Sequence, residues 1–259
     1  MAMHQNDGEN MTALSLSSAS TAAAPQSSTT ASTAAQSQAT SALTKISPAL
    51  AKAHDRLVAQ FQVQSTSISQ LGQYKAAVST LSGAAQSLSG TSANASLADV
   101  TKLAESFVTA FNATITQANG TAGAGTRQTE TGKALSDSKR TLSASDASRS
   151  QLTTMGLLRQ PDGTLKLDAA SLKKAFSNSP SGTTSALAQL GKVMAKRADS
   201  ELSDKGRVAL ATDKASSKAL SLKQQESALL SSATQLAQAQ STTSNSWATK
   251  QALQRYSAA

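Results

Sequence analysis

The sequence predicts a mainly α protein: long paired helices forming a coiled-coil stalk or helical bundle, one small β-hairpin, and a disordered amino-terminal tail. Three observations predict it. Over residues 48–88 the larger apolar residues fall at helical spacing (Leu50, Leu57, Phe61, Ile68, Leu71, Tyr74, Val78, Leu81, Ala85, Leu88), and no proline follows Pro48 until Pro161. Near the carboxyl end Leu222, Glu226, Leu229, Ala233, Leu236, Gln240, Thr243 and Trp247 advance in steps of three and four, the spacing of a coiled-coil seam. Between these stretches Pro161-Asp162-Gly163 joins two short apolar runs, the chemistry of a tight turn in a β-hairpin.

The first helix would run roughly 60 Å at 1.5 Å per residue, and only one stripe of it is apolar. Such a helix has to lay that stripe on another long helix, and the carboxyl-terminal seam supplies one. The residues expected at this helix-pairing or oligomer interface are Leu57, Phe61, Ile68, Leu71, Val78, Leu81 and Leu88 on the first helix, with Leu222, Leu229 and Leu236 on the last. Several positions of the last seam are polar or small, so the pairing is expected to be weak or completed by neighbouring molecules.

Composition narrows the class. Of 259 residues 39% are hydrophobic, but only 3% are aromatic and alanine makes up much of the rest. Burying a Leu or Phe contributes about 1.5–3 kcal/mol and an alanine far less, so the packing should be thin. Cysteine is absent, which excludes disulfides, thiol chemistry and cysteine-bound zinc. No basic and apolar secretory leader is visible at the start, and no run is long and apolar enough to span a bilayer. The expectation is a protein that is soluble or exported without such a leader.

Taken in order, residues 1–43 are Ser, Thr, Ala and Gln with no Lys or Arg before Lys45, and are expected to be disordered. The first long helix occupies 44–90. Region 91–204 is expected to be helical around a hairpin near 156–168. Within it, Ser96 should cap a helix, with Asp99 placed to reach back to the free backbone donors. That helix carries Leu97, Val100, Leu103, Phe107, Phe111 and Ile115, and stops near Asn119-Gly120. Residues 120–135 read as a Gly/Thr-rich loop, followed by a weakly specified helix over 137–152. Asp168 should cap a helix containing Leu172 and Phe176, ending before Pro180. Residues 183–202 form a further helix. The last long helix fills 205–259.

Chemistry is hard to place on this chain. An EF-hand with Gly163 at its sixth position would need carboxylates at Leu158 and Ala169. His4 and His54 are the only histidines and lack ligand spacing, so no metal is expected. No nucleophile with a base partner and no phosphate-binding glycine loop follows from the sequence. The expectation is a non-enzyme without cofactor, metal or catalytic residues. The net charge of +9 raises nucleic acid, with Lys192, Lys196, Arg197, Lys205, Arg207, Lys214, Lys218 and Lys223 in the densest basic zone. Acidic residues interleave with them and no aromatic offers a stacking platform, so a solvated helical face is the plainer reading.

Three stretches together resemble the flagellar filament-capping (hook-associated protein 2) family. Residues 57–88 are similar to its amino-terminal helix. Phe107-Val108-Thr109-Ala110-Phe111-Asn112 is similar to the helix that opens its carboxyl-terminal region. Met155-Gly156-Leu157 through Gly163-Thr164-Leu165-Lys166-Leu167-Asp168 resembles its hairpin and following helix. The likeness covers most of residues 48–240, and the large β-rich middle domain usual in that family would be missing between residues 90 and 96. The resemblance implies a secreted, extracellular component of the bacterial flagellum, concerned with motility and assembled through helix–helix contacts. Its implied partners are further copies of itself, flagellin and other hook-associated proteins, and an export chaperone. An effector or translocator of a virulence type III system is the alternative.

Overall fold

The computed structural model describes residues 28–120, 129–143 and 149–257. In chain order they form α1 (Ser28–Ile46), α2 (Pro48–Ser89), α3 (Leu97–Gly120), α4 (Glu130–Ser143), α5 (Arg149–Thr154), β1 (Leu157–Arg159), β2 (Leu165–Leu167), α6 (Ala169–Asn178), α7 (Pro180–Leu202) and α8 (Arg207–Ser257). The molecule is thus mainly α, with long packed helices and one two-stranded antiparallel hairpin.

α2 is the platform. Its carboxyl-terminal half buries Leu71, Tyr74, Val78, Leu81, Ala85 and Leu88, the stripe read from the sequence. α3 folds back antiparallel across it: Gln117 donates to Gln73 at 2.8 Å, and Thr114 Oγ1 donates to the Ala77 carbonyl at 3.1 Å. The expected start of α3 is present in a modified form. Ser96 Oγ accepts from the Asp99 backbone N–H at 3.2 Å and donates to Asp99 Oδ2 at 2.7 Å, so Asp99 binds the capping hydroxyl itself.

The hairpin pairs Leu157 with Leu167 and Arg159 with Leu165. Gly163 takes φ +91°, open to glycine, while Asp162 Oδ1 accepts from the Thr164 backbone N–H and hydroxyl, closing the turn. Gly156 has φ +77°, and a Cβ there would lie 2.4 Å from the Asp168 carbonyl oxygen, so the hairpin base can press onto the start of α6 only with glycine. Asp168 caps α6 as expected, accepting from Ala170 and Ser171 N–H groups. Those bonds, the Ser171 hydroxyl first, hold its carboxyl below the usual range.

Several boundaries move. The expected tail over 1–43 lies outside the described residues as far as 27, but from Ser28 the chain is helical. Ser and Thr outnumber Ala and Gln in α1, so propensity contributes little; Leu43 gains burial against α2 and α8. Of the expected loop over 120–135, residues 121–128 are outside the description, while α4 already begins at Glu130. Thr129 Oγ1 accepts from the Gly132 N–H at 3.1 Å, and Leu135, Ser138 and Leu142 are buried at helical spacing. The helix expected over 137–152 is therefore two, α4 and α5. One continuous core joins α2, α3, α4, the hairpin, α6, α7 and Val208 of α8, so packing does not respect a boundary at residue 90.

Candidate helix-pairing interface

Sequence spacing pairs α2 with the last helix alone; the structure divides the partner in two. α7 lies antiparallel along the end of α2, with Ser82 Oγ donating to Asp199 at 2.6 Å. Their closest approach is at Gly191, where a Cβ would sit 2.5 Å from the Ser89 nitrogen and 2.6 Å from the Ala85 oxygen. Gly191, Ala195 and Ala198 form a small-residue stripe that lets the two backbones meet, beside Leu187, Leu190 and Met194. After the turn at residues 203–206 the chain continues in the same direction as α8, which takes over α2 for the rest of its length. Gly206 makes that turn possible, since a Cβ would collide with the Glu201 carbonyl. Beside it the buried Glu201 carboxylate takes Arg207 at 2.6 Å.

The expected pairing residues fall into three groups. Leu71, Val78, Leu81 and Leu88 of α2 are fully enclosed, and Leu222 of α8 is buried. Leu57, Phe61 and Ile68 of α2 and Leu229 of α8 are half-buried, because here α2 is covered by fewer helices. Leu236 is 40% exposed among the described residues, outside the enclosed part of the seam. The reason is geometric. α2 begins at Pro48, the chain turns at Ser47 into α1, and the last buried α8 residue against that turn is Ala233.

Beyond Ala237 every described α8 side chain is exposed. Leu236 and Trp247, eleven residues or three helical turns apart, share a face, and Trp247 is 62% exposed. Among the described residues, the stripe that binds α2 and α1 upstream thus runs on uncovered for several turns. A Ser/Thr/Asn-rich helix of this kind, with Ser241, Thr242, Thr243, Ser244, Asn245 and Ser246 in succession, is marginal in water without a partner.

Two groups missed at the sequence level organise the interface. Asn112 of α3 pairs with the edge of β2: its amide donates to the Leu165 carbonyl and its oxygen accepts from the Leu165 N–H, each at 2.7 Å. This ties the hairpin to the bundle. The other is the pairing of α7 with α2: the helix itself was expected over 183–202, but its close approach rests on Gly191, Ala195 and Ala198 recurring at helical spacing. Among the described residues no cluster of three or more His, Asp or Glu is placed to hold a metal, and no helix is long and apolar enough to cross a membrane. No family model, curated protein or solved structure matches the chain.

Proposed function

We propose that this protein is a structural component of the bacterial flagellar axis, a reduced relative of the filament cap that works by helix–helix association and performs no chemistry. One observation carries the association: among the described residues the pairing stripe of α8 continues uncovered past the start of α2, from Leu236 through Trp247. The occupant it suits is another helix with the same weak, partly polar seam, and a second copy of the chain offers one. The flagellar placement rests on the ordered resemblance of the α2, α3 and hairpin stretches. The double hydrogen bond of Asn112 to Leu165 gives a physical reason for an asparagine to follow that Phe-Val-Thr-Ala-Phe run.

The test of placement is secretion of a tagged copy in cells with and without the flagellar export gate. Secretion lost with the gate is the expected result. Secretion that persists without the gate but requires an injectisome would replace the reading with a virulence type III substrate, and no secretion in either strain would overturn it.

A further inference from the structure

The uncovered end of α8 carries its seam in the order Leu236, Gln240, Thr243, Trp247, with Lys250 next, all exposed among the described residues. The steps alternate four and three, so the seam has the two alternating kinds of position of a heptad repeat. From either end it reads large, polar, polar, large. A second copy laid antiparallel therefore meets it with Leu236 against Trp247 and Gln240 against Thr243, and symmetry repeats both layers. The polar layers lie in the middle, between two Leu–Trp layers. Thr243 donates its one hydroxyl proton to the Ala239 carbonyl at 2.9 Å, which leaves its oxygen to accept from the amide of an opposing Gln240.

We infer that two copies of the chain pair antiparallel through this segment, about a twofold axis between residues 241 and 242. This pairing rests on the association through α8 proposed above and adds the orientation of the second copy. Sterics oppose the parallel alternative. Up to Ala233 the same seam is already filled: Ala233 is 2% exposed and packs with Leu43 of α1 and Ala51 of α2. A parallel partner in register would follow the seam upstream into the space that α2 occupies. An antiparallel partner points its carboxyl end at the turn between α1 and α2. Only its residues 251–257 pass the level of Ala233, and there they have to leave the seam.

Charge favours the same orientation. After Glu226 the only charged side chains are Lys250 and Arg255. Parallel helices would set each of them beside its own counterpart. In the antiparallel pair Lys250 lies level with Ala233 of the other copy. The two Lys250 are then about 25 Å apart along the axis at 1.5 Å per residue, well beyond the screening length of about 8 Å at physiological ionic strength. The negative carboxyl-terminal end of one α8 also approaches the positive amino-terminal end of the other copy's α2. The pairing is a matter of this seam and stands whether or not the flagellar placement does.

Light scattering on the full chain reports whether copies associate, and spin labels report how. The chain lacks cysteine, so a single nitroxide on Ser231→Cys, or on Ser241→Cys, measures the separation between copies without background labelling. Both positions are exposed and lie off the seam. For Ser231 the expected separation is about 30 Å, since the twofold axis places it level with Ala252 of the other copy. For Ser241, next to the axis, the separation should be short, governed by the roughly 8–10 Å between packed helix axes. Trp247→Asp, outside the core, should remove both signals. Short separations at both positions would mean parallel copies, and long ones at both would put the tail elsewhere on the second copy. Either result, or signals that survive Trp247→Asp, would overturn the antiparallel pairing while leaving association standing. A full chain that stays monomeric would overturn both.

Discussion

At the scale of single residues, the contacts that shape this molecule differ in how far their partners lie along the chain. Asp168 and the Pro161-Asp162-Gly163 turn bind groups within three residues, and their roles are readable from sequence. Asn112 binds Leu165, 53 positions on, and nothing local distinguishes it from a surface asparagine. Gly191 looks like a helix-weakening residue until the Ala85 and Ser89 backbones are found against it. Tyr74 belongs to the same class, being fully buried with its hydroxyl donating to Ser138 of α4 at 3.0 Å. Burial pushes its phenol up to about 12; the Ser138 hydrogen bond opposes the shift and the nearby Glu201 carboxylate adds to it. The phenol of an unfolded chain ionises first, so Tyr74 should contribute stability that is intact below about pH 10 and lost between about pH 10 and 12. Urea denaturation across that range should show a loss on the order of 2 kcal/mol attributable to this group. Tyr74→Phe should flatten the slope. A slope unchanged in that variant would place the alkaline sensitivity elsewhere.

At the scale of elements, apolar periodicity located α2 and the stripe it buries, because 3.6-residue spacing reports a face directly. It could not say which helix covers that face. α7 and α8 follow one another along α2, and a seam defined by spacing alone continues past the point where its partner ends. The same stripe is therefore structural at one end and free at the other, which separates two kinds of substitution. Leu71→Asp or Leu81→Asp puts a carboxylate into a fully enclosed site, losing the leucine's burial and adding an unpaired charge. Either should cost more than about 4 kcal/mol and abolish cooperative unfolding followed by circular dichroism. Leu236→Asp, on the exposed part of α8, should leave the unfolding midpoint within about 0.5 kcal/mol of the parent. If Leu81→Asp folded normally, or Leu236→Asp unfolded the chain, the division of the stripe would be wrong.

At the scale of the whole molecule, the sequence made the mainly α class, the hairpin and the start of α3 at Ser96 legible, each from local chemistry. The single core uniting α2 with the region after residue 90 was not legible, since it depends on which faces of α3, α4, α6 and α7 turn inward together. What remains after that core is closed is a long helix end with Leu236 and Trp247 outward, Lys250 and Arg255 as its charges, and no carboxylate side chain after Glu226. Two such ends repel weakly at low ionic strength, so pairing between copies should strengthen as salt screens them. Light scattering across a concentration series, on the full chain and on one ending at Ala237, tests the association directly. The full chain should form oligomers that grow with concentration and are favoured by salt, while the shortened chain keeps its helical fold and stays monomeric. A full chain that remains monomeric throughout, or a shortened chain that assembles equally well, would contradict association through the uncovered face of α8.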